Sequence, residues 1–233
     1  MTDARRALLA ELIDHAPLFP PAELPLDEAL EDHRRARESE HAWMVRRFVV
    51  PASRLGELDG QDLRLTVVVD GHGPFYGLDE RVEAVEGREP GLAKLGREIY
   101  VEGADLGEVE QAGAGAKIRC SPPPTIQELA SFIRGCRERG IRFKATAGLH
   151  HAVRSDSEHG FLNLPAAVVF GDEEEALAAK DEGAFRLDEE AFAWRDRRAG
   201  ADELAAARSE RFSGIGSCSF TEPVDELERL RIL

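Results

Sequence analysis

The sequence predicts an α/β protein: an irregular (β/α)8 barrel of the TIM type, with a mainly parallel sheet and helices at its N-terminus. Three observations predict it. Short apolar runs between turn signals recur from Arg46 onward, helical periodicities separate the later runs, and 233 residues is a normal length for one such barrel. No internal repeat, low-complexity run or linker divides the chain. A single domain over residues 1–233 is therefore expected, with residues 1–45 as a helical segment packed on the barrel.

In chain order, Leu8, Leu9, Leu12 and Ile13 space as one helical face, and Pro20-Pro21 ends that segment. A second helix is expected over residues 27–44. Glu28, Glu31, Asp32, Arg34, Arg35 and Arg37 charge most of its surface, so it lies outside. Strands are expected at 47–50, 63–69, 81–86, 98–102, 116–120, 141–147 and 212–217, with a weaker one at 184–187 to complete eight. The best-marked helix spans 125–139. Thr125 and Glu128 form a capping box, Ile126, Leu129, Ile133 and Cys136 make its apolar face, and Gly140 stops it. Others are expected at 161–170, 173–180, 201–208 and 223–230. Connections after the second, third and fourth strands are about ten residues long, near the minimum for a crossover holding a helix. That shortness is why the barrel should be irregular.

The net charge of -15 repels phosphate backbones and anionic lipid, which argues against nucleic acid and membrane surfaces as partners. No apolar run approaches the roughly 18 residues needed to cross a bilayer. The charged start through Arg6 leads into only Leu8-Leu9-Ala10, too short an uncharged core for a secretory leader. Cys120, Cys136 and Cys218 have neither zinc-like spacing nor a disulfide framework. A cytoplasmic protein without a cofactor is expected, and the pattern does not decide between monomer and homo-oligomer.

Cation usage points to the chemistry. Of 30 Lys plus Arg, only Lys94, Lys117, Lys144 and Lys180 are lysine, so a lysine within an apolar segment is a candidate for work that arginine, always charged, cannot do. In 141–147, Ile141, Phe143, Ala145 and Ala147 share one face, leaving Arg142, Lys144 and Thr146 on the other. By the same alternation Lys117 and Arg119 oppose Ile118, Tyr100 and Glu102 oppose Ile99, and Glu86 ends its strand. Four strands thus direct Glu86, Glu102, Lys117 with Arg119, and Lys144 into one interior. Buried charges of both signs must pair, and barrel enzymes carry catalytic residues at the C-terminal strand ends. An ion-pair network that only fills the barrel would give the same pattern.

Gly148 permits a sharp turn that puts His150 and His151 at the mouth, with His159 further along the loop; histidine there can shuttle protons. A metal held by His150 or His151 with Glu86 and Glu102 is an alternative. Adjacent histidines point apart and no i, i+4 pair occurs, so no metal ligands are assigned. Gly214, Gly216 and Ser217, ahead of a helix, offer an anion cradle or simply close strand packing.

The run Phe143-Lys144-Ala145-Thr146-Ala147-Gly148-Leu149-His150-His151, followed by Gly160-Phe161-Leu162-Asn163, resembles an uncharacterised bacterial family. That family shares a lysine-arginine strand before this run and a Gly-x-Gly-Ser near the C-terminus. The resemblance covers about Arg46 to the end, departs at Cys120-Ser121-Pro122 where the family has glycines, and implies no activity. More loosely, Lys144-Ala145-Thr146-Ala147-Gly148 is similar to the lysine strand of deoxyribose-phosphate aldolase, a class I aldolase. That resemblance implies a Schiff-base lysine on a sixth barrel strand.

The expected function is catalysis on a small carbonyl or carboxylate metabolite, a lyase or isomerase with Lys144 as Schiff-base nucleophile or general base. Burial and Lys117 should lower the pKa of Lys144. Glu102 or Glu86 would carry protons, His150 would act from the loop, and Arg119, Thr146, His151, Gly214, Gly216 and Ser217 would hold the substrate, a small anionic metabolite. The alternatives are a non-catalytic barrel that binds such a metabolite or serves as an assembly partner, and a metal-dependent lyase or hydrolase.

Overall fold

A computed structural model describes residues 3–71, 78 and 80–233. Eight parallel strands close into a barrel: β1 (Ile13–His15), β2 (Val45–Pro51), β3 (Leu65–Val68), β4 (Val82–Gly87), β5 (Glu98–Glu102), β6 (Gly115–Arg119), β7 (Phe143–Thr146) and β11 (Phe212–Ser217). The first seven follow chain order around the wall. The last, β11, lies between β7 and β1, with Ile13 beside Ile215. Outside run α1 (Ala4–Leu9), α2 (Leu26–Glu38), α3 (Leu106–Ala112), α4 (Ile126–Arg139), α5 (Asn163–Phe170), α6 (Glu173–Ala178), α7 (Ala201–Glu210) and α8 (Thr221–Arg229). Among the described residues no helix is long and apolar enough to cross a membrane.

The helix α4 forms as its sequence dictates. Both bonds of the Thr125–Glu128 capping box are made, and Gly140 ends it at φ 65°. Beneath it, Phe143 of β7 packs between Phe132 of α4 and Phe212 of β11, at ring-centroid distances of 5.5 and 5.3 Å. The side chains facing outward on β7 are therefore apolar, which turns Lys144 inward.

Three expectations are corrected. The first helix stops at Leu9, because Glu11 takes φ 49° and gives its N–H to Trp43. Leu12 then accepts from the Ile215 N–H, so Ile13 opens a barrel strand and does not extend the helix. Residues 1–45 thus carry β1, and α2 ends at Glu38, short of Met44. The weak strand at 184–187 exists as β8 (Phe185–Leu187), but outside the barrel. It pairs with β9 (Ala191–Trp194) and β10 (Arg197–Gly200) in an antiparallel sheet, with Phe192 and Trp194 stacked on Phe170 of α5. Of the connections expected to be short, the one after β4 holds only the 3-10 turn Pro90–Leu95, while the one after β5 does hold a helix, α3; the connection after β2 is also a 3-10 turn, Ala52–Leu58. The connection after β3 lies mostly outside the described residues.

Gly214 shows how tightly the barrel is closed. At φ 148° it sits so near β1 that a Cβ would stand 2.3 Å from the Leu12 carbonyl oxygen. Gly214→Ala should cost roughly 2–4 kcal/mol through strain and overlap against immobile backbone, read as a lower urea midpoint. An unchanged midpoint would mean that β1 and β11 can separate freely.

On the outer side of β1, His15 stacks on His33 of α2 at 5.5 Å, with Asp32 3.3 Å from its Nε2, and His33 meets Phe48 edge-on. Burial, then the neighbouring His15 and Arg37, push His33 down to about 3. The unfolded chain therefore takes up the proton first, near pH 6.5, and stability falls as pH drops from there towards 3. At pH 5 this one group should cost about 2 kcal/mol relative to neutral pH. His33→Gln should flatten that part of the urea-stability profile.

Candidate active site

Strand register brings the interior charges together. Lys117 of β6 is the Cα partner of Lys144 on β7, and Glu102 of β5 is the partner of Lys117. The Lys144 Nζ donates to Asp14 Oδ2 at 2.5 Å and to Glu86 Oε1. Glu86 Oε2 in turn lies 2.8 Å from Lys117 Nζ, which reaches Glu102 Oε2 at 2.9 Å. Five residues on five strands form a row of alternating sign: Asp14, Lys144, Glu86, Lys117, Glu102. Thr66 of β3 donates to Asp14 Oδ2 at 3.2 Å. Asp14, Glu86, Lys117 and Lys144 are all buried.

The electrostatics follow from this pairing. Burial pushes the Glu86 carboxyl up, but Lys144 and Lys117 outweigh it and bring it down to about 2. Burial pulls Lys144 down, yet Asp14 and Glu86 outweigh burial and raise it above the ordinary lysine value. The expectation of a depressed lysine is thereby corrected. It set burial and Lys117 above the opposing Glu86, which here pairs directly with the amine, and it lacked Asp14, whose carboxylate is bonded to it as well.

Above the row lies a cavity of about 80 Å³, room for several waters at roughly 10–15 Å³ each. Lys144, Lys117, Glu86, Thr146, Gly216 and Ser217 line it, Arg119 and His150 reach its rim, and Phe19, Pro20, Val49 and Val68 supply apolar wall. The Thr146 hydroxyl is buried without a partner, as is Asp14 Oδ1. A buried hydroxyl on a cavity wall with nothing to bond is free for a ligand. The next residue, Ala147, takes φ 61° and Gly148 takes φ 62°, where a Cβ on Gly148 would stand 2.6 Å from the Cys120 carbonyl oxygen. This reversal turns the chain over the mouth and delivers His150.

The remaining expected residues are placed less centrally. Exposed Arg119 donates from Nε to the Ser121 carbonyl at 2.9 Å. His150 Nδ1 lies 2.7 Å from Glu222, while exposed His151 lies 3.7 Å from Glu226 and does not line the cavity. The two histidines are thus engaged apart from Glu86 and Glu102, so that ligand set does not assemble. His159 is buried in the loop, its Nε2 donating to the Pro124 carbonyl at 2.7 Å. Glu102 touches Lys117 but not the cavity. Gly214 serves the contact with β1, and the Ser217 hydroxyl donates to the Ser219 carbonyl at 2.6 Å. Ser219 caps the Glu222 N–H at 3.2 Å, and Glu222 occupies the first turn of α8, so this helix start is closed by its own residues. Lys144 stands on the seventh barrel strand in chain order, and Lys117 on the sixth.

Asp14 and Thr66 are the site residues that sequence reasoning missed. The signal for Asp14 was slight: one carboxylate between Ile13 and His15, immediately before Ala16-Pro17. No protein-family model matches the chain, and no curated protein matches it.

Proposed function

We propose that this barrel is an enzyme that works on a small carbonyl or carboxylate metabolite, with Lys144 as the amine that forms a Schiff base with it. One observation carries the reading. A buried lysine at the base of the mouth cavity is held between two carboxylates, one of which bridges to a second lysine.

That arrangement suits imine formation even though it favours the ammonium. The ammonium first passes one proton to Glu86 or Asp14, which frees the nitrogen lone pair to attack the carbonyl carbon. The attacking nitrogen passes a second proton to the former carbonyl oxygen, Lys117 then protonates the resulting hydroxyl, and water leaves. Proton return along the row restores the starting charges, so the whole step turns ammonium plus carbonyl into iminium plus water. The cation stays where it was, between Asp14 and Glu86. The carboxylates that stabilise the ammonium therefore also stabilise the iminium, and a raised lysine pKa does not oppose the product. Arg119 at the rim would hold a substrate carboxylate, Thr146 would bond a substrate oxygen, and His150 with Glu222 would exchange protons with the outer end of the substrate. Cleavage of a carbon–carbon bond or isomerisation would both follow from such an iminium.

The second reading is a non-catalytic barrel that binds an anionic metabolite. It draws support from the completeness of pairing at Lys144. Borohydride trapping with small aldehydes, ketones and keto acids, followed by peptide mapping, separates the two. Adduct on Lys144, absent in Lys144→Arg, which keeps the cation but cannot form an imine, supports the enzyme. Adducts confined to the exposed lysines Lys94 and Lys180 would reject it.

A further inference from the structure

We propose that the opposite end of the barrel, where its strands begin, binds a small dianionic oxyanion of the phosphate class. This site is separate from the mouth and does not rest on the Schiff-base reading.

Arg46 at the start of β2, Arg142 just before β7 and Arg208 at the end of α7 converge on one cavity of about 270 Å³. Their charges are poorly matched. Glu98 alone receives Arg46 at 2.8 Å, Arg47 at 2.5 Å and Arg142 at 2.9 Å, as well as the Tyr100 hydroxyl at 2.5 Å. Glu83 is shared by Arg47 and Arg64, and Glu11, which also lines the cavity, is turned to Arg64 at 2.6 Å. Arg208 bonds carbonyl oxygens: those of Leu8 at 2.8 Å, Ala10 and Phe212 at 3.0 Å, Glu11 at 3.2 Å, and Ser213. No described carboxylate pairs with it.

Arg46, Arg47, Arg64, Arg142 and Arg208 thus share Glu98, Glu83 and Glu11, with Asp14 of the ion row also attracting Arg47 and Arg208, so cations outnumber carboxylates here in a chain whose net charge is -15. The excess of positive charge is local, and the cavity beside it is open to solvent. The buried Arg46 Nε, Arg47 Nη1 and Arg142 Nε have no bonding partner. Burial lowers Arg208 to about 9, with Arg46 and Arg142 adding and Tyr100 and Asp14 only partly opposing. Guanidinium forks match the oxygens of phosphate, whose negative charge would offset the excess. Ser209, exposed at the edge of the cavity, leaves a path for entry.

The test is calorimetric titration of the full chain with inorganic phosphate at fixed ionic strength, with sodium chloride as the control. Saturable binding at one site is expected. Arg142→Gln removes a fork and Ser209→Asp sets a carboxylate at the entrance without touching a buried residue; each should weaken binding roughly tenfold or more. Arg119→Gln, at the far mouth, should leave it unchanged. Absence of heat above the chloride control, or affinity unaltered in both foot variants, overturns the proposal. Loss of binding in Arg119→Gln also overturns it, because the anion would then sit in the mouth.

Discussion

Lys144→Met is expected to lower folding stability by roughly 3–5 kcal/mol, the usual cost of removing one member of a buried ion pair. Methionine fills the volume of the lysine stem but leaves the Asp14 and Glu86 carboxylates facing each other. Their fates differ. Glu86 keeps its ion pair with Lys117 at 2.8 Å, whereas Asp14 keeps the Thr66 hydroxyl and the longer-range attraction of Arg47. Asp14→Asn added to Lys144→Met should therefore recover a substantial part of the loss, and Glu86→Gln less, because it strands Lys117. Urea unfolding of the single and double variants gives the coupling directly. Additive losses for Lys144 and Asp14 would contradict the bond between them.

Glu98→Gln should also be damaging, because a neutral amide leaves Arg46, Arg47 and Arg142 repelling one another at the foot of the barrel. Burial raises the Glu98 carboxyl, but Arg47 and Arg46 outweigh it and bring it down to about 2. A folded value below the unfolded one stabilises the protein above about pH 4.5, and that contribution is lost as pH falls through about 2. Each pKa unit is worth about 1.4 kcal/mol, and with 23 % of the side chain still exposed the contribution is roughly 2–3 kcal/mol. The gap between wild type and Glu98→Gln should accordingly be widest near neutral pH and close between pH 4.5 and 2. A gap independent of pH would show that lost packing, not charge, explains the defect.

The convergence of Lys117, Glu102, Glu86 and Lys144 was legible in the sequence because each lies in a run long enough for alternation to show. The apolar partners Ile118, Ala145 and Val101 mark the outer face, so the inner face follows. Asp14 was not legible, because a three-residue strand has no readable period. Leu8 and Leu9 of the preceding helix also space with Leu12 and Ile13 as though the helix continued. Missing Asp14 carried a second error with it, since the charge state of Lys144 depends on that carboxylate. The excursion of β8 to β10 was half legible. A single apolar run can belong to either sheet, and only the stacking of Phe192 and Trp194 on Phe170 draws it away from the barrel. For Gly214 the sequence allowed a cradle or a close contact, and only the distance to the Leu12 carbonyl separates them.

The seam of the barrel joins the first strand to the last. Seven strands can zip side by side in the order in which they leave the ribosome, each next to its predecessor, but β1 must wait for Phe212–Ser217 before its second edge is covered. Joining segments that far apart along the chain carries the largest loop entropy in the topology and belongs late in folding. With the seam open, β7 has one uncovered edge, and the bond from Lys144 to Asp14 must span a gap that β11 later fills. Closure thus doubles as a checkpoint: a chain that has not completed its cylinder has completed neither its ion row nor the cavity above it.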